Sequence, residues 1–128
     1  MPVDYSDPIY KDIGGRRHVS YDITETGTGP SDEWQLPIHK FATLTLLHCV
    51  LETAGSATTI DPETGVASGW ATTGIDHLVD NSSPGASVRI QDRVHIVARD
   101  GFIYGRSNPD NTAGTIKTRV AWVEGHDE

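Results

Sequence analysis

Hydrophobic residues in this chain return at every second position, and that spacing belongs to strands. From Arg17 to Glu25, Val19, Tyr21 and Ile23 fall on one face, while Ser20, Asp22 and Thr24 fall on the other. From Thr115 to Glu124, Ile116, Thr118, Val120 and Trp122 point inward, with Lys117 and Arg119 outward. Successive strand side chains point to opposite sides of a sheet, so a period of two buries one face and solvates the other. The runs are also rich in β-branched and aromatic residues, which suit a pleated, half-buried surface.

Turn signals cut the chain into short pieces. Gly27 to Asp32 reads as a loop, as do Asn81 to Gly85 and Ser107 to Gly114. Asp61-Pro62-Glu63-Thr64-Gly65 reads as a turn, with Pro62 at a corner and Gly65 free to take positive φ. A short strand holding Trp70 is expected over Val66 to Thr73, and Val88 and Ile90 begin another. The runs Arg93 to Ala98 and Phe102 to Arg106 flank Arg99-Asp100-Gly101, which predicts a β-hairpin. Trp34 to Ala54 carries two patterns. Leu44, Leu47, His48 and Leu51 fit a helical stripe, whereas Phe41 to Leu46 alternates and includes threonines, which are poor helix formers. The strand reading is favoured. Short strands separated by turns imply an all-β fold, an antiparallel β-sandwich or jelly-roll-like barrel.

The first sixteen residues differ from the rest. Pro2, Pro8, Gly14 and Gly15 interrupt them, and Tyr5, Ile9, Tyr10 and Ile13 show no regular period. They read as an extended N-terminal arm, residues 1–16, on a single β-sandwich domain, residues 17–128. A solvated tail rarely carries so many apolar groups, so the arm is expected to bind a partner. Tyr5, Ile9, Tyr10 and Ile13 are its expected contacts, with Arg16 and Arg17 as ion-pair partners.

Composition narrows the function. A chain of 128 residues can bury a core without disulfides, and its one cysteine, Cys49, excludes an intrachain bridge. Cys49 lies in an apolar run and reads as a small buried hydrophobe. Met1 to Tyr10 lacks the apolar segment of a secretory signal, so synthesis or assembly in a cytoplasm is expected. No apolar stretch is long enough to span a bilayer as a helix, and no membrane partner is expected. The net charge is −8 and the basic residues are scattered, which argues against nucleic-acid binding.

The familiar catalytic patterns are missing. There is no phosphate-binding loop, no dinucleotide fingerprint and no nucleophile elbow. The six histidines do not cluster with zinc-ligand spacing. His48 and Glu52 would share a face only on a helix, and Asp76-His77 with Asp80 falls in an expected loop. The acids near Asp61 do not follow a calcium loop. Glu25, Asp32 and Glu33 read as a solvated rim rather than an acid–base pair. Trp34, Trp70 and Trp122 read as core or interface anchors in preference to a sugar-stacking platform. No catalytic residue, metal or cofactor is expected.

Two stretches carry a family likeness. Thr53-Ala54-Gly55-Ser56-Ala57-Thr58-Thr59-Ile60-Asp61-Pro62-Glu63-Thr64-Gly65 resembles small structural proteins of tailed bacteriophages. So does Asp100-Gly101-Phe102-Ile103-Tyr104-Gly105-Arg106-Ser107-Asn108-Pro109-Asp110-Asn111, with the closing strand ending in Val123-Glu124-Gly125. The resemblance covers residues 53 to 125. It implies a virion component with a β-sandwich core, above all a capsid decoration (cement) protein. Its partners would be the major capsid protein and itself, as a homotrimer, and its place the capsid surface of the virion. A head–tail connector, tail or fibre-tip protein is the alternative, favoured if residues 40–54 prove helical. A carbohydrate-binding module would need exposed, coplanar tryptophans.

Overall fold

The period-two pattern folds into two antiparallel sheets packed face to face. The computed structural model describes residues 3–27, 33–39, 41–53, 60, 62–65, 77–80, 87–91, 93–97, 101–107 and 114–124. The larger sheet has seven strands: β1 (Val3–Tyr5), β2 (Ile9–Ile13), β3 (Arg16–Gly27), β5 (Phe41–Thr53), β8 (Ser87–Ile90), β9 (Val94–Val97) and β11 (Gly114–Glu124). Its order is β1-β3-β11-β5-β8, with β2 also on β3 and β9 also on β5. The smaller sheet runs β4 (Trp34–Pro37), β10 (Phe102–Arg106), β6 (Glu63–Gly65), β7 (His77–Asp80). The chain is all-β, a β-sandwich.

Three long strands, β3, β11 and β5, form the centre of the larger sheet. Val19, Tyr21, Ile23, Leu44, Leu47, Val120 and Trp122 project from them into the core. Trp34, Leu36 and Ile103 of the smaller sheet meet them there. Tyr21 and Trp122 stack with ring centroids 5.6 Å apart. Each buried aliphatic side chain of this kind contributes about 1.5–3 kcal/mol through removal of apolar surface from water. The expected inward set on β3 and β11 is borne out, and Glu25 joins it, fully buried and accepting a 2.9 Å hydrogen bond from Ser107 Oγ.

The ambiguous segment is strand, split between the sheets. Residues 34–37 belong to the smaller sheet and 41–53 to the larger. Along β5, register shifts against β11 leave Thr45 and Glu52 as extra residues, each a β-bulge. The first bulge reverses the parity of burial: Ala42 and Leu44 point inward before it, Leu47 and Cys49 after it.

Three expectations are corrected. The Arg93 to Arg106 region is not a hairpin: β9 pairs with β5 in one sheet, and β10 lies between β4 and β6 in the other. Ile103, Tyr104 and Gly105 are buried in succession, as suits a strand with neighbours on both edges. Gly101 does take φ +82°, but β9 and β10 on either side of it belong to different sheets, and the Gly101 carbonyl accepts the Ile38 N–H at 3.0 Å. Glu63–Gly65 is a strand rather than a turn, because β10 and β7 pair with it from both sides. His77 to Asp80 is strand β7, not loop. The strand expected around Trp70 lies outside the described residues.

Glycine 105 is dictated by packing. It pairs with Trp34, and a Cβ built at 105 would collide with the Trp34 indole. A strand glycine at such a point admits a close aromatic neighbour.

Candidate functional site

The N-terminal stretch is extended as expected, and it lies along β3 of its own sheet rather than apart from it. β1 pairs with β3 through Val3–Glu25, Asp4–Thr24 and Tyr5–Ile23. Ser6 continues the seam: its N–H donates to the Asp22 carbonyl at 2.8 Å, and its Oγ accepts the Asp22 N–H at 2.9 Å. β2 then pairs with Arg16 to Ser20. The turn between β2 and β3 is Gly14-Gly15, with φ of +60° and +77°. Two consecutive positive φ values make the type I′ turn whose twist matches that of paired strands, and glycine adopts them without strain. Gly-Gly between two strand runs is therefore the signal that identifies this hairpin.

This placement divides the six expected contact residues between two faces. Ile9, Ile13 and Arg16 lie on the outer face of the sheet. Tyr5, Tyr10 and Arg17 lie on the core side, at its rim, opposite or beside the inward positions Ile23 and Val19. Tyr5 is anchored, its hydroxyl accepting the Gln35 N–H at 3.1 Å across the sandwich. Arg17 makes an internal pair, donating to both Glu124 oxygens at 3.0 Å, and its guanidinium lies 4.5 Å from the Tyr10 ring centroid. That carboxylate raises the Arg17 pKa above its ordinary value. Burial, with the adjoining Tyr10 hydroxyl, pushes the Tyr21 phenol up to about 12.

Exposure concentrates at this edge. Five large hydrophobic side chains are exposed among the described residues: Tyr5, Ile9, Tyr10, Ile13 and Val97. Four of them belong to β1 and β2. The fifth, on β9, lies at the opposite side of the sheet.

The outer face over β3, β11 and β5 forms a shallow groove of about 460 Å³ lined by Asp22, Thr24, His48, Val50, Lys117 and Arg119. Arg119 holds Asp22 through bonds of 2.7 and 3.0 Å, and Lys117 holds Glu52 at 3.0 Å. The sequence argument did not single this groove out, although its residues are the outward half of the same alternation. His48 and Glu52 lie on a bulged strand, and His95 Nδ1 lies 3.1 Å from Thr43 Oγ1. Among the described residues, no three His, Cys, Asp or Glu converge as metal ligands would. Cys49 is buried, with Thr118 Oγ donating to Sγ at 3.2 Å, and burial pushes its thiol up to about 12, where it is not a nucleophile at neutral pH. Trp34 and Trp122 are each 1% exposed, so neither can stack a sugar; Trp70 lies outside the described residues.

No family model and no curated protein matches this sequence. Among solved structures, it is similar to the K1 cleaved adhesin domain of Lys-gingipain from Porphyromonas gingivalis W83. That match has 10% identity and a TM-score of 0.46, over 99% of this chain and 100% of that one. It is also similar to the K3 cleaved adhesin domain of the same protein, with 13% identity and a TM-score of 0.41 over 85% and 74%. The Drosophila melanogaster CENP-C cupin domain follows, with 11% identity and a TM-score of 0.26 over 88% and 74%. At such identities the likeness concerns overall shape alone.

Proposed function

We propose that this chain is a non-enzymatic structural protein that docks on another protein through its N-terminal edge. The observation that carries this reading is the gathering of Tyr5, Ile9, Tyr10 and Ile13, four of the five exposed large hydrophobics, on β1 and β2. Ile9 and Ile13 are 54% and 57% exposed, so covering what remains of each contributes about half of the full-burial value, about 1 kcal/mol. The edge is pre-ordered by its pairing with β3 and by the Gly14-Gly15 turn, so docking loses little chain entropy.

The partner we propose is the outer surface of a tailed-phage capsid, which the protein would reinforce by bridging major capsid subunits. This part rests on the resemblance of residues 53–65 and 100–111 to small phage structural proteins. Weak contacts of this size suffice on a capsid, because many copies bind one lattice and multiple attachment raises avidity. The strand at 41–53 removes the helix that would have favoured a connector.

Co-sedimentation with expanded capsids that lack the protein tests this function. Saturable binding that falls at least tenfold in the double variant Ile9→Ser, Ile13→Ser is the expected result. Wild-type protein that stays in the supernatant overturns the capsid assignment. Equal binding by the variant overturns the assignment of the edge.

A further inference from the structure

The free side of β2 carries backbone chemistry as well as apolar side chains. In a two-residue hairpin, the residues flanking the turn form a hydrogen-bonded pair, and such pairs alternate along the ladder. Ile13 and Arg16 flank Gly14-Gly15, so Ile9, Lys11 and Ile13 direct their N–H and C=O groups to β3. Tyr10 and Asp12 direct theirs away from it. Among the described residues no strand pairs on that side of β2.

The side chains of β2 are symmetric about Lys11. Ile9 and Ile13, 54% and 57% exposed, flank it on the outer face, and Tyr10 and Asp12 flank it on the rim face. We propose that a second copy of the chain pairs with the backbone side of this edge, its β2 laid antiparallel to the first about a two-fold axis through Lys11, which leaves the outer-face isoleucines of both copies for the capsid. The inference rests on reading the N-terminal edge as a protein-docking surface, and it differs from the three-fold association that the family resemblance implies.

This register follows from complementarity. It sets Tyr10 opposite Asp12 of the second copy, so that each outward N–H meets an outward C=O. It sets Ile9 opposite Ile13 of the second copy on the outer face, and apolar cross-strand pairs stabilise a sheet. A shift of two residues one way sets Asp12 opposite Pro8, which has no N–H to give; a shift the other way sets Asp12 opposite Asp12. The central contact is unfavourable, because Lys11 faces Lys11. A lysine on an exposed edge limits unwanted pairing. The pairing is therefore weak, and it strengthens with salt, which screens both Lys11 and the net charge of −8 on each chain.

Sedimentation velocity of the full chain across concentration and salt tests this. A monomer–dimer equilibrium that shifts toward dimer with salt is expected. Asp12→Pro removes the outward N–H together with the carboxylate and keeps the ladder to β3, so it should give a monomer with a wild-type circular dichroism spectrum. Lys11→Glu provides a second test that does not depend on Asp12→Pro folding. Mixed with wild type, it should form a heterodimer about fivefold tighter than either homodimer, because opposite charges then meet on the axis. A wild-type monomer at all concentrations, a trimer, or a mixture without heterodimer preference overturns the proposal. Capsid co-sedimentation of the same samples separates the two readings. A monomer that binds capsids through Ile9 and Ile13 leaves edge docking intact and removes the dimer. A dimer that ignores capsids does the reverse.

Discussion

β2 and β11 are built from similar residues and do opposite work. Both carry isoleucine, lysine and an aromatic residue, and both lie in the same sheet. On β11 every second residue is covered, and Ile116 is 0% exposed. On β2 all five residues are exposed, and Ile9 is 54% exposed. β11 has a long neighbour on each side and the smaller sheet above it; among the described residues β2 has β3 on one side alone. Strand propensity is thus common to both, and position in the sheet decides whether a side chain supplies stability or remains available for binding.

The largest expected effects test the buried side of this contrast. Leu47→Ala should cost about 2–5 kcal/mol in chemical denaturation, the transfer loss plus the cavity left behind. Gly105→Ala forces a methyl group into the Trp34 indole and should cost at least about 1–3 kcal/mol, as overpacking does. A wild-type midpoint for either variant would mean that the two sheets do not pack as described.

Removing residues 1–15 tests the boundary between the regions. Loss of the β1 and β2 ladders, of Ser6 on Asp22 and of the Tyr5–Gln35 bond should lower the midpoint and leave the transition cooperative, since β3 keeps β11 and both β11 and β5 keep their neighbours on each side. The Tyr21 phenol, at about 12 in the intact chain, should titrate closer to its ordinary value once Tyr10 and the covering strand are gone. Ultraviolet absorbance titration reads this directly. A Tyr21 pKa unchanged by the deletion would show that Tyr21 owes nothing to the edge. Ile9→Ser should change stability by less than about 0.5 kcal/mol, as exposed substitutions do. A loss as large as that of Leu47→Ala would erase the distinction between edge and core.

Legibility in the sequence followed the same division. Wherever one face is buried along an unbroken ladder, as on β3 and β11, the alternation named the inward residues correctly. On β5 the bulge at Thr45 shifts the inward set from even to odd positions, and Leu44, Leu47 and Leu51 then fall three and four apart, as on a helix. The sandwich crossing at Gly101 was read as a hairpin because both require a glycine turn between apolar runs. Which sheet each run joins depends on partners far away in sequence. The edge was recognised as sticky but not as a strand. With both faces of β2 exposed, no burial imposes a period of two, and Gly14-Gly15 alone marked the hairpin. Buried Glu25 was read as part of a solvated rim, because its partner Ser107 lies 82 positions away.

The smallest effect lies where the two regions meet. Asp22 serves both: Ser6 of the edge pairs with its backbone, and Arg119 of the centre with its carboxylate. The Arg119 guanidinium lowers the Asp22 carboxyl pKa from its ordinary value. A carboxyl whose pKa is lower in the folded state contributes stability above its unfolded pKa and loses it as pH falls through the folded one. The contribution should therefore be complete at neutral pH and fade below about pH 4, where an unperturbed aspartate protonates. Both side chains are about half exposed, at 56% and 47%, so solvent screening limits the pair to about 0.5 kcal/mol. Asp22→Asn should remove that increment at neutral pH and converge with wild type in acid. The backbone seam to Ser6 should persist, because the substitution leaves the Asp22 N–H and C=O in place. If amide exchange at Ser6 accelerates in the variant, the centre positions the edge through this one side chain, and the two regions are coupled rather than merely adjacent.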